Sequence, residues 1–156
     1  MKTKQNEYAV IGLIIGAVLG MIVGLGAMNM IKESQRGQML YPALGICILG
    51  FGVIGYSAGK SLGRETDKEI ELGHDKAKEN IFQQGRVWVA ITEWSSKDNQ
   101  NYKLITGQTN DKILISQLND ELVMNHEIQS GSKANVGKFH KAARTYIFNQ
   151  QKAQYK

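Results

Sequence analysis

Few residues in this chain have the type and spacing that chemistry requires. Gly59-Lys60-Ser61 ends like a phosphate-cradling loop, in which backbone N–H groups and a lysine hold phosphate oxygens. That loop needs an earlier glycine at position 54, where Ile54 stands, so the pattern fails and the residues read as a helix end with a basic anchor. Three histidines, His74, His126 and His140, are scattered along the chain. Glu71-x-x-His74 and the adjacent pair His126-Glu127 each lack the second motif that would complete a metal shell, so the histidines read as solvated or satisfied within a core. Cys47 is the single cysteine, which excludes an internal disulfide and a cysteine-based metal site within one chain. No serine stands in a nucleophile elbow. The expectation is a non-enzyme with no catalytic, metal-binding or cofactor-binding residues.

What must position any functional residue is set by an uneven distribution of charge. Residues 8–31 and 37–59 carry no charged side chain, whereas the remainder from Lys60 holds most of the ionisable groups. As helices these runs extend about 36 Å and 34 Å, enough to cross a hydrocarbon layer of roughly 30 Å. Two rival readings of the first run are weaker. A cleaved secretory signal has a shorter apolar core. A buried soluble hairpin needs far more surrounding protein than this chain provides. Tyr8, Tyr41 and Tyr56 stand where an aromatic belt would place them, and Lys60 and Arg64 follow the second run as interfacial anchors. Pro42 is expected in the first turn of its helix, where a missing N–H costs little.

The link between the runs is short, so the helices are antiparallel neighbours and both ends lie on one side. Lys2, Lys4, Lys60, Arg64 and Lys68 outnumber Lys32 and Arg36 of the connection, which assigns both termini to the cytoplasm. Gly12, Gly16, Gly20 and Gly24 recur every four residues and form a small-residue stripe of glycine-zipper type. On the second helix Gly45, Gly52, Gly55 and Gly59, with Gly63, are expected on one face and Cys47 away from it. Two uses follow: packing within one hairpin, or oligomerisation through a stripe. With no intramembrane charge or polar ladder, an aqueous pore is a further step, and a proton-carrying rotor subunit is disfavoured.

Beyond the second run, ten of the sixteen residues from Arg64 to Glu79 are charged. Ile70, His74, Ala77 and Ile81 fall at helical spacing, which predicts a solvated connecting helix that continues the second run or hinges at Gly63 and Gly73. From Arg86 the texture turns to β. Residues 87–94, 102–106, 112–116 and 121–128 are strand candidates separated by turn-like segments, and an antiparallel meander of three or four strands is expected. Val136, Phe139, Ala143, Tyr146, Ile147 and Gln150 trace one face of a C-terminal helix whose other positions carry Lys138, Lys141, Arg144 and Lys152. This basic amphipathic helix either covers the sheet or lies on an anionic leaflet, with nucleic acid a third and unspecific option. Trp88, Trp94 and Phe139 are the expected core aromatics.

The fold class is therefore a membrane α-helical hairpin of two transmembrane helices, glycine-zipper type, plus a small soluble α+β domain with an antiparallel meander and a C-terminal helix. Its expected partition is a cytoplasmic N-terminus (1–7), transmembrane helices at 8–31 and 39–59 around an external loop (32–38), a charged connecting helix (60–84) and a soluble α+β domain (85–156). The net charge of +5 belongs mainly to the flanks of the apolar runs and the last 25 residues, so it argues for anchoring rather than for nucleic acid. The functional expectation is a two-pass assembly or scaffold component that meets the bilayer, itself or another membrane protein, and an unknown cytoplasmic partner. The alternatives are a pore-forming oligomer gated by the soluble domain and a membrane-tethered ligand sensor.

Overall fold

The computed structural model describes residues 3–28, 33–110, 113–127 and 131–155. Residues 29–31 of the first expected span, residue 32 of the expected loop, the expected strand start at Lys112 and the strand end at Ile128 lie outside them. Two long apolar helices come first, α1 (Lys4–Met28) and α2 (Glu33–Glu71). A five-stranded antiparallel sheet and a C-terminal helix, α3 (Lys133–Gln154), follow. The chain divides into two compact units, 1–67 and 68–156.

The stretches Lys4–Ala27 of α1 (24 residues) and Tyr41–Glu71 of α2 (31 residues) are long and apolar enough to cross a membrane, with mean hydropathies of 2.5 and 1.6. Helix α2 begins at Glu33, so 33–38 is helical rather than part of a loop, and Pro42 lies in the helix interior rather than its first turn. Proline there removes one intrahelical hydrogen bond, a loss the flanking turns of a long helix can carry. With 39 residues α2 is about 58 Å long, nearly twice a hydrocarbon thickness.

The two helices meet backbone to backbone. A Cβ placed on Gly12 would lie 2.9 Å from the Gly55 carbonyl carbon, on Gly16 2.8 Å from that of Phe51, and on Gly20 2.6 Å from the Cys47 oxygen. From the other side, a Cβ on Gly59 would lie 2.8 Å from the Tyr8 carbonyl carbon. Each four-residue advance along α1 thus meets a four-residue retreat along α2. Cys47 belongs to this contact row, contrary to the expectation that it points away. The row repeats every four residues, 47-51-55-59-63; Gly52 borders it, with its Cα 3.2 Å from a Cβ placed on Gly16, whereas Gly45 stands off it. Asp67 sets the register: its two carboxylate oxygens accept from the free N–H groups of Lys4 and Gln5 at 2.9 and 3.0 Å, capping α1 from the opposite helix.

Helix α2 does not hinge at Gly63 and does not run on as a connecting helix to residue 84. It stops at Glu71, where Gly73 takes φ 74°, the left-handed value that ends helices, and donates to the Ile70 oxygen at 3.2 Å. A Cβ on Gly73 would also approach the Ser95 carbonyl carbon to 2.7 Å, so chain geometry and space both demand glycine. After a 3-10 turn (His74–Lys76), residues 78–84 form a strand. The second unit accordingly starts at Lys68 rather than at 85.

The sheet is a meander of five strands in sequence order: β1 (Lys78–Gln84), β2 (Val87–Ser95), β3 (Asn101–Asn110), β4 (Ile113–Leu118) and β5 (Glu121–Glu127). Strand β3 runs through the expected separator at Gly107 and Gln108. Gly85, at φ 63°, turns β1 into β2, while Asn119 and Asp120, at φ 49° and 96°, turn β4 into β5. Helix α3 starts at Ser132, whose hydroxyl accepts from Asn135 N–H at 3.2 Å. It covers one sheet face, burying Val136, His140, Ala143 and Ile147 against Ala90, Trp94, Leu104 and Leu114. Tyr146 and Gln150, expected on this face, are exposed, and His140 takes the buried place instead.

Gly16→Leu with Gly20→Leu should drive two large side chains into the α2 backbone. We expect a loss of about 2–6 kcal/mol, taking 1–3 kcal/mol per overpacked site. Thermal unfolding of the full-length protein in detergent measures it, and an unchanged midpoint would contradict the contact row.

Candidate functional site

The second unit presents two distinct collections of side chains, one sealed under α3 and one on the opposite face of the sheet. The sealed collection follows from strand alternation. Ala90, Thr92 and Trp94 of β2 share a face, opposite Thr106, Leu104 and Tyr102 of β3, and Ser116 of β4 pairs with Thr106. Three hydroxyls are thereby placed in a core and need partners. His140 supplies them: its Nε2 lies 2.6 Å from Thr92 Oγ1 and its Nδ1 2.7 Å from Thr106 Oγ1, which in turn bonds Ser116 Oγ. Thr92, Thr106, Ser116 and His140 are all fully buried, so no substrate reaches this imidazole and the group ties α3 to three strands. Burial pushes the His140 pKa down from 6.5 to about 4, with Glu79 opposing the shift and Arg144 reinforcing it.

His74 sits at the other end of α3. Its ring stacks on Phe148 at 3.8 Å with an interplanar angle of 2°, and its Nε2 lies 2.7 Å from Gln151 Oε1. Burial lowers its pKa, with Gln151 raising it and Lys152 lowering it further. Trp94 packs edge-on to Phe148 at 5.0 Å and stacks on Tyr102 at 5.3 Å.

The opposite sheet face has no helix over it among the described residues of this unit. Register places two apolar rows across it, Phe82–Val89–Gly107–Ile115 and Ile91–Ile105. A charged row, Lys78–Glu93–Lys103, crosses the same face beside them, with a 3.2 Å ion pair between Lys103 and Glu93. Next to this row lies an open hollow of about 580 Å³, bordered by Lys76, Lys78 and Lys103 with the acid Glu93 among them, and by Trp94, Ser95, Asn101 and Tyr102. An apolar sheet face with a net positive border suits a ligand that offers apolar and acidic groups together.

The expected site residues fall out as follows. Gly12, Gly16, Gly20, Gly24, Gly55 and Gly59 come together at the helix contact, whereas a side chain on Gly45 or Gly52 would meet open space. Tyr8, Tyr41 and Tyr56 are exposed, as are Lys60 and Arg64. Of the basic residues on α3, Lys138 and Lys141 are exposed, Arg144 pairs with Glu79 of β1, and Lys152 pairs with Glu69 at 3.0 Å. These pairs keep part of the helix's positive charge engaged with its own domain rather than free for a leaflet or nucleic acid. Sequence reasoning missed Asp67 and the Thr92–His140–Thr106–Ser116 group. Alternation did signal the second, since Thr92 stands between Ala90 and Trp94 on an apolar face. Among the described residues no three His, Cys, Asp or Glu side chains gather in a metal-holding group.

Comparison with known proteins adds nothing to this geometry: no family model, no curated protein and no solved structure matches the chain.

Two substitutions on adjacent residues test the face assignment. Leu104→Ala, beneath α3, should cost about 2–5 kcal/mol, while Ile105→Ala on the open face should cost less than about 1.5 kcal/mol. Chemical denaturation of the full-length protein in micelles compares them, and equal costs would mean the sheet faces are misassigned. Thr106→Val, which strips partners from His140 and Ser116, should cost about 1–3 kcal/mol in the same measurement.

Proposed function

We propose that this chain is a two-pass membrane assembly or scaffold component, non-catalytic, that presents a small α+β domain to a partner in the cytoplasm. One observation carries the reading. The helices of the first unit are inside out for a soluble protein: their shared interior is glycine and backbone, while large apolar side chains such as Ile14, Ile22, Leu49 and Val53 are 55–71% exposed. Only 22% and 11% of the two apolar windows are buried, against the thorough burial of a soluble core helix. A bilayer supplies the missing apolar surroundings, and close glycine contact is how helices gain van der Waals attraction there.

The glycine-zipper contact then serves the hairpin itself. Gly45 and Gly52 leave a second helix face open, and an apolar groove of about 420 Å³ beside Gly52, Leu13 and Ala17 suits a further helix, from another copy or another membrane protein. The excess of lysine and arginine at both ends supports cytoplasmic termini. In the soluble domain, the apolar rows and basic border of the open sheet face support a partner that is apolar and acidic.

Alkaline carbonate extraction and flotation on a density gradient test the reading. We expect the full-length chain to stay with the lipid fraction, with reporter fusions in the loop and after residue 156 facing opposite compartments. A chain that stays in the aqueous supernatant without detergent removes the proposal.

A further inference from the structure

We propose that His74 and His140 form an acid-released latch on α3, so that protonating them frees the helix and uncovers the inner face of the sheet. This goes beyond the bilayer reading and does not depend on it. The two imidazoles grip the helix at separate points: His140 is on α3 itself and docks into β2 and β3, while His74 comes from the 3-10 turn and docks onto Phe148 and Gln151.

Each ring is held in a way that favours the neutral form, His74 by an unpartnered buried nitrogen and His140 by full burial among hydroxyls that already share their hydrogens. Gln151 Oε1 is an acceptor, so His74 carries its hydrogen on Nε2. Its Nδ1 is then a lone pair, buried and without a partner. A second proton on that atom would be a buried donor with nothing to receive it. At His140 the neutral ring donates from one nitrogen and accepts at the other, so of the two hydroxyls it meets, Thr92 and Thr106, one accepts and one donates, and Thr106 also shares a bond with Ser116. A second proton makes both nitrogens donors, so the hydroxyl that had donated to the ring must turn its hydrogen away. It also places a positive charge in a fully buried site.

The charged groups nearby do not rescue the imidazolium forms. Near His140 these are Glu79 of β1 and Arg144 of α3, already paired with each other. Near His74 they are Asp75 in its own turn, and Glu69, which is paired with Lys152 of α3. The facing residues of β2, β3 and β4 are the neutral Thr92, Trp94, Thr106 and Ser116. Because folding lowers both pKa values, the unlatched helix binds more protons than the latched one. Latching is at full strength above pH 6.5, weakens as pH falls, and has lost its His140 contribution below about pH 4. For His140 the interval from 6.5 to about 4 spans a factor of about 300 in the docking equilibrium.

Hydrogen exchange of the full-length chain in phospholipid nanodiscs, read by mass spectrometry and corrected for the intrinsic pH dependence, tests the latch. Between pH 7.5 and 4.5 we expect α3 amides to lose protection by on the order of 50- to 100-fold, with α1 unchanged. Adding 0.5 M NaCl should leave the midpoint in place, since salt weakens the Glu79–Arg144 and Glu69–Lys152 pairs but not burial of an imidazole. His140→Gln keeps a donor and an acceptor but does not titrate, so it should hold α3 to lower pH, and His74→Gln should do so in part. The latch is overturned if wild-type α3 keeps its protection at pH 4.5, if salt moves the midpoint as far as acid does, or if both variants release at the wild-type pH. Should His140→Gln not fold at neutral pH, His74→Gln with the salt comparison decides: an unshifted midpoint in that variant overturns the proposal.

Discussion

Along the α1–α2 contact, carbonyl groups of one helix occupy the space where side chains of the other would begin. A methyl group at Gly12, Gly16 or Gly20 has nowhere to go, because the atoms it would strike are backbone and cannot swing aside. This constraint orders the rest of the first unit. Small residues must recur every four positions, large ones must turn outward, and the contact must continue to the helix ends, where Asp67 closes it on the first N–H groups of α1. An outward apolar surface is thus a consequence of the contact as well as of composition.

The second unit solves a different packing problem. A meander has two faces and α3 is wide enough to cover one. Under α3 the core is not wholly apolar: Thr92, Thr106 and Ser116 sit among leucines and alanines, and His140 satisfies the hydroxyls it meets. Such a group adds direction to a contact that apolar side chains leave free to slide, since displacing α3 by one turn would strand buried polar atoms. The same arrangement makes α3 sensitive to proton binding, because what satisfies the group is an uncharged ring. The face opposite keeps the half-buried Val89, Ile91, Ile105 and Ile115 in cross-strand rows beside lysines.

Much of this layout is legible in the amino-acid order. Uncharged stretches, β-branched segments and a helical stripe are local signals, and each led to an element in about the right place. Failures came where distant residues decide. Residues 78–84 offer only Ile81 and Phe82 as apolar guides, and they become a strand because β2 supplies seven partners. Helix α2 passes Gly63, since there glycine answers the backbone of Gln5, and stops at Gly73, since there it answers a left-handed turn and the Ser95 carbonyl. Nothing local separates those two glycines. Tyr146 and His140 exchange places for a similar reason: a helical face is wider than its buried stripe, and the hydroxyls of the sheet select the residue that can bond them.

By itself, the sequence determined where charge is absent, where the backbone is smallest and where strands alternate, because these depend on side-chain type and local periodicity. Only the tertiary structure decided which glycines meet, that Cys47 joins their row, that Asp67 caps the opposite helix, and that His140 rather than Tyr146 lies buried. Each of those outcomes depends on register between elements far apart in the chain, and register is a property of two surfaces meeting, which no single segment contains.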